Sequence, residues 1–165
     1  MSPPAATATT VRGAWARAAL TAGIFLALDQ ATKQLVVHSL ARGESRNVFF
    51  GIELTHVRNK GVAFGAFGSG GVLVTLLTVA AVSLLIGYFA MRARTPWLWL
   101  PVGVIAGGAF GNLLDRIRTG AVTDFIDPML WPAFNVADVG IVVGILGLFY
   151  VIEGKRPSQA SESSS

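Results

Sequence analysis

Gly107-Gly108-Ala109-Phe110-Gly111-Asn112-Leu113-Leu114-Asp115-Arg116 is the stretch on which the reading of this chain turns. It begins apolar and glycine-lined and ends polar. With Gly103, the glycines at 107 and 111 recur every four residues. On a helix that spacing makes one ridge of small residues, along which a second helix can approach closely. Just downstream lies Val122-Thr123-Asp124-Phe125-Ile126-Asp127, so three carboxylates and two arginines fall between Asp115 and Asp127. A smaller cluster, Phe134-Asn135-Val136-Ala137-Asp138, follows.

That density stands out because the rest of the chain is sparing with charge. Of 165 residues 53% are hydrophobic and 13% charged, whereas soluble domains carry about a quarter charged residues. The mean hydropathy of +0.60 points the same way, to a membrane protein of a few spans. The net charge of +4 does not read as a nucleic-acid footprint. Its lysines and arginines flank apolar runs and form no block or stripe. The absence of cysteine removes disulfides, thiol nucleophiles and thiolate metal sites. His38 and His56 are too far apart for a helical metal pair, so no metal site is expected.

Working outward, four apolar segments are expected to span. The first covers about 14–37, after a small, proline-bearing stretch (residues 1–13) read as a disordered tail. Arg12, Arg17 and Ala18–Leu28 could pass for a signal peptide. Three more long apolar segments weaken that reading, and the helical pattern runs on through Asp29 and Lys33. These two stand four apart and can pair. The second span, about 71–91, is uncharged and long enough at ~1.5 Å per residue to cross a ~30 Å hydrocarbon core. The third covers about 97–114, with Trp97 and Trp99 as an interfacial anchor, and the fourth about 135–152. Residues 157–165 read as a second disordered tail.

Between the first two spans, residues 38–68 mix charge with β-formers. The alternation Ile52/Leu54 against Glu53/Thr55 predicts a short strand or hairpin. The glycine-bearing stretch that follows it reads as a flexible ledge on the membrane surface. Residues 115–133 read as a polar loop. Four spans put both termini on one side and both large loops on the other. Six basic residues on each side leave the orientation undecided.

All five aspartates lie at the loop end of the bundle, and ionisable groups at membrane depth tend to mark function. Each also has a plainer reading. Asp29 with Lys33 can be a structural pair near a helix end. Asn112, Asp115 and Arg116 share one helix face; an acid at a helix C-terminus opposes the dipole, and Arg116 is expected to neutralise it. Asn135 can cap a helix with Asp138 at its third position, which is as natural as catalysis. Asp127 reads as a loop acid in solvent. Asp124 is different, because its apolar surroundings do not suit a merely solvated charge. Closing the fourteen residues from Asp124 to Asp138 costs little, so a carboxylate dyad is permitted, though not required.

If those two meet, they would share one proton near neutral pH. One could then activate water while the other polarises a carbonyl and protonates a leaving amine. No serine lies in a GxSxG or SxxK setting that would offer a nucleophile instead.

Five motifs, Asp29-Gln30-x-x-Lys33, Asn59-x-Gly61-x-Ala63-Phe64-Gly65, Gly107-Gly108-x-x-Gly111-Asn112-x-x-Asp115-Arg116, Val122-x-Asp124-Phe125 and Phe134-Asn135-x-Ala137-Asp138, occur in this order. Together they resemble lipoprotein signal peptidase (signal peptidase II), a family of aspartic peptidases. The resemblance covers roughly residues 14–156 and implies one peptidase domain there. It implies an all-α membrane fold of four transmembrane helices with a small extracytoplasmic β-cradle at about 38–68. It also implies cytoplasmic termini, an active site at the outer face of a bacterial inner membrane, and cleavage of prolipoproteins before a diacylglyceryl-modified cysteine. By the same likeness Asp124 and Asp138 are catalytic. Asp29, Lys33, Asn59, Gly108, Asn112, Asp115, Arg116 and Asn135 are supporting or substrate-binding, with Asn59 and Arg116 holding the substrate backbone. No cofactor is implied; membrane lipids are the surroundings, and a monomer is expected. Between Asp124 and Phe134 the segment is short and carries Pro128 and Pro132, a mild departure that makes it stiff. Two other classes remain on the residues alone: a proton-coupled transporter using Asp29, Asp115 and Asp138 as a relay, and a structural membrane subunit.

Overall fold

The computed structural model describes residues 10–61 and 70–154. Both tails beyond these limits, and the Val62–Gly65 part of the second motif, lie outside the described residues. The elements run α1 (Val11–Ser39), β1 (Ser45–Phe49), β2 (Ile52–Asn59), α2 (Gly70–Arg92), α3 (Trp99–Thr119), β3 (Val122–Pro128) and α4 (Val136–Glu153).

The helix ends follow local chemistry. Thr10 caps α1, its Oγ1 accepting from Gly13 N at 3.1 Å. Residues 11–13 are therefore helical, although the tail was expected to reach 13. Helix α3 runs five residues beyond the expected end at Leu114. It stops only at Gly120, whose left-handed backbone (φ 72°) caps it. Asp115 and Arg116 consequently sit inside the helix rather than past its end.

Among the described residues, α1, α2 and α4 are long and apolar enough to cross a membrane. Helix α3 is long enough, but its glycines and its polar last turns dilute its hydropathy. It compensates by being the inner helix, in contact with α1, α2 and α4. The glycine ridge explains how. A Cβ added at Gly103 would lie 2.7 Å from the Ala18 carbonyl, and one at Gly107 2.6 Å from that of Ala22. One at Gly111 would overlap the Asp29 carboxylate. Gly108 faces the other way, onto the Ala137 carbonyl of α4, while Gly140 of α4 receives the Phe25 ring. Small residues thus let α1 and α4 seat on two sides of α3 at backbone distance.

Toward the chain-terminal end of the bundle, Ala14, Ala18, Phe89, Leu98 and Val102 form a buried cluster that ties α2 to α1 and α3. Trp15 meets Phe89 edge-on at 4.8 Å. Elsewhere α2 and α4 expose Leu76, Leu84, Leu146 and Phe149, side chains suited to lipid.

The expected hairpin is present as β1 and β2, turning at Gly51 (φ 76°). The polar loop predicted for 115–133 is corrected: its centre is a strand. β3 pairs antiparallel with β2 and completes a three-stranded sheet in the order β1-β2-β3. The cradle therefore draws on residues beyond 68. Phe125 anchors β3 by packing on Val36 and Leu40 at the end of α1.

Candidate active site

Five elements deliver polar side chains to one layer at the sheet end of the bundle, and Lys33 on α1 is its hub. The ammonium is only 2% exposed. It lies 2.8 Å from Asp29 and 3.1 Å from Asp115, and donates to Asn112 Oδ1 at 2.9 Å. All three of its protons are thereby used. The expected Asp29–Lys33 pair exists, but deep in the bundle rather than near a helix end. Asp29 is fully buried, and its second oxygen accepts from Ala137 N at 3.0 Å in the first turn of α4. One lysine thus serves two carboxylates, and the positive end of α4 supplies part of the balance.

The expectation that Arg116 neutralises Asp115 is corrected. Consecutive residues on a helix point about 100° apart and do not face each other. Lys33 holds Asp115 instead, together with Gln30 Nε2 at 3.1 Å and the backbone N–H of Thr123 at 3.1 Å. That last bond fixes the start of β3. Arg116, half-buried, makes one long bond to Asn112 O at 3.4 Å. Its guanidinium lies within electrostatic reach of Asp138, Asp124 and Asp115.

Two asparagines extend the layer to the remaining acids. Asn112 receives Lys33 on Oδ1 and donates Nδ2 to Asp138 Oδ1 at 2.8 Å. Asn135 caps α4, its Oδ1 accepting from Asp138 N while its own backbone N–H donates to Asp138 Oδ2 at 3.2 Å. Its Nδ2 is shared between Asn112 Oδ1 at 3.1 Å and Asp124 Oδ1 at 2.7 Å. The cap is present, and other atoms of the same residue bond Asn112 and Asp124. Asn59 donates to Asp124 Oδ2 at 3.0 Å and accepts from Gly61 N at 2.8 Å, so it is turned toward Asp124.

Asp124 is 2% exposed on β3. Burial pushes its carboxyl up to about 6, against the amide bonds from Asn59 and Asn135 that favour the ionised form; the charge of Asp138 pushes the same way as burial. Gly108 contributes close packing of α4 and no polar group. Asp127 pairs with Glu53 along the sheet and stands apart from the layer. Among the described residues no buried side-chain nitrogen or oxygen lacks a partner, and no group of His, Cys, Asp or Glu is arranged to hold a metal ion. Gln30 was quoted in a motif without a role; its bonds to Asp29, Asp115 and Gly111 O make it part of the layer.

A bundle of apolar helices with a buried carboxylate–amide layer at one end, beside a small sheet, is the architecture of an integral membrane protein with a polar site. The sequence model of Signal peptidase (SPase) II matches residues 21–153. A lipoprotein signal peptidase of Pelotomaculum thermopropionicum is 42% identical, with 78% of this chain and 86% of that one covered. The one from Desulforapulum autotrophicum is 41% identical over 86% and 94%. A bacterial membrane enzyme solved by the in meso method superposes with a TM-score of 0.74 at 26% identity, over 84% of this chain and 94% of that one. A second such structure gives 0.73 at 28%, over 90% and 93%. The chain belongs to the signal peptidase II family and is an aspartic peptidase.

Proposed function

We propose that the chain removes signal peptides from prolipoproteins by hydrolysing the bond before a diacylglyceryl-modified cysteine, with Asp124 and Asp138 as the catalytic pair. The observation that carries the pairing is Asn135, which bonds both carboxylates, one through its side chain and one through its backbone. Asp138, the more exposed of the two, acts in its ionised form and takes a proton from water. The hydroxide adds to the scissile carbonyl carbon. Asp124, whose carboxyl burial raises to about 6, reacts through its protonated fraction and gives that proton to the carbonyl oxygen. Collapse of the intermediate passes the proton on Asp138 to the leaving amine, and Asp124 recovers its own. Substrate that excludes the remaining water favours the protonated form of Asp124 further.

Asp29, Lys33, Asn112, Asp115 and Asn135 hold this geometry, Asn59 orients Asp124, and Arg116 keeps donors for the substrate backbone. Gly108 lets α4 close on α3. In this reading α3 also spans the membrane, making four spans in all, residues 14–156 form one peptidase domain, both termini are cytoplasmic, and the sheet lies outside over the site. The enzyme works as a monomer with its substrate's lipid against the apolar helices. A relay through the membrane has less support, because the acids gather at one end.

The test is to reconstitute the protein with a diacylglyceryl-prolipoprotein and map the products by mass spectrometry. A single cut immediately before the modified cysteine, unaffected by a chelator, is expected. A cut elsewhere, or activity lost to the chelator, contradicts the reading.

A further inference from the structure

On the far side of β3 from Asp124 is a polar cavity of about 180 Å³, set between the C-terminal ends of α1 and α3. Three arginines from three elements line it: Arg42 after α1, Arg58 on β2 and Arg118 on α3. No carboxylate lies within 4.0 Å of any of them among the described residues, whose ion pairs are confined to Lys33 and Arg46. Asp115 is the one acid lining the cavity, and Lys33, Gln30 and the Thr123 N–H already engage it. Of the guanidinium donors, Arg58 uses one on Thr119 O and Arg118 reaches Gln30 Oε1 at 3.5 Å. Each guanidinium has five N–H donors, so most remain uncommitted.

Arg42 and Arg118 are exposed and Arg58 half-buried, so three like charges share the rim of one cavity, where a bound anion would offset their opposition. A planar fork of donors matches phosphate oxygens better than any other common anion except carboxylate. Thr119 and Thr123 add to the wall, the Thr119 hydroxyl already donating to Asp115 O and Ala121 O, and buried Lys33 and His56 close its inner side. Antiparallel pairing sets Arg58 opposite Thr123, whereas Asp124 pairs with Val57. Neighbours along a strand point to opposite faces, so the sheet separates this cavity from the Asp124 carboxylate.

We propose that this cavity binds a phosphate group. Such a group could come from the phosphodiester of an anionic lipid at the membrane boundary or from free phosphate in solution. The site is independent of the assignment of the catalytic pair.

The experiment uses the full chain in dodecyl maltoside micelles, which carry no phosphate. Phosphatidylglycerol is titrated in one arm and inorganic phosphate in the other, and the thermal midpoint and lipid retained in native mass spectrometry are read. The wild type is compared with Arg42→Gln/Arg118→Gln, which leaves the catalytic layer and the Arg58–Thr119 contact in place. We expect saturable stabilisation of the wild type and an affinity weakened about tenfold or more in the double variant, with basal peptidase activity in the phosphate-free micelles unchanged. Saturation by phosphatidylglycerol alone identifies a lipid headgroup; saturation by inorganic phosphate identifies a free anion. No saturation in either arm, or equal affinity in wild type and double variant, overturns the proposal.

Discussion

Asn135 donates its side-chain amide to Asp124 at 2.7 Å while standing as the N-cap of α4. The cap and the bridge use different atoms, so they can be separated. Asn135→Ser keeps a good capping oxygen but is too short to reach Asp124. Unfolding should therefore lose about 1–3 kcal/mol, because buried Asp124 and Asn112 lose a partner while the cap is kept, and kcat falls by about tenfold or more as Asp124 loses a bond that orients it. Circular dichroism melts alongside single-turnover cleavage would check this. Cleavage at the wild-type rate by folded Asn135→Ser would make Asn135 a cap alone.

The Asp124 carboxyl near 6 predicts the pH profile. If Asp124 must be protonated, kcat/KM falls as pH rises through its titration. Asn59 donates to the ionised form and so holds that titration down. Asn59→Ala should move the alkaline limb to higher pH. A limb that stays put, or shifts to lower pH, would mean that Asp124 is not the group being titrated.

Much of this was legible in the sequence, and the rest failed for identifiable reasons. Uncharged apolar runs disclosed α2 and α4, and the fourfold glycine spacing disclosed the face α3 offers to α1. The end of α3 was misplaced because polar Asp115 and Arg116 look like an exit from membrane, although the chain stays helical to Thr119. β3 was missed although Val122-Thr123 and Phe125-Ile126 are β-formers; the interposed Asp124 broke the apolar pattern. Its pairing with β2 is non-local and leaves no periodic trace. The partner of Asp115 could not be read either, since Lys33 lies far away in sequence.

Lys33, itself buried, touches both Asp29 and Asp115. Lys33→Met leaves two buried carboxylates without their cation. Breaking a buried pair in this way costs about 3–5 kcal/mol. Detergent-solubilised protein should then melt far below the wild type or fail to accumulate. A loss under about 1 kcal/mol would show that the lysine is not the hub.

The glycines make a contrast of position. Gly111→Ala drives a methyl into the Asp29 carboxylate, whereas a Cβ at Gly87 in α2 meets nothing within 4 Å. Gly111→Ala should destabilise the bundle and reduce cleavage. Gly87→Ala should be neutral or stabilising by about 0.5–1 kcal/mol, the helix preference of alanine. Similar behaviour of the two in thermal melts would contradict the packing described for α1 and α3.

The central claim is that Asp124 and Asp138 act as one catalytic unit. Single-turnover cleavage of a diacylglyceryl-prolipoprotein by wild type, Asp124→Asn, Asp138→Asn and the double variant tests it most directly, with folding verified by melting. The account predicts a loss of about a thousandfold or more in each single variant and little further loss in the double, as for residues that work together. Cleavage near the wild-type rate in either folded single variant would contradict it.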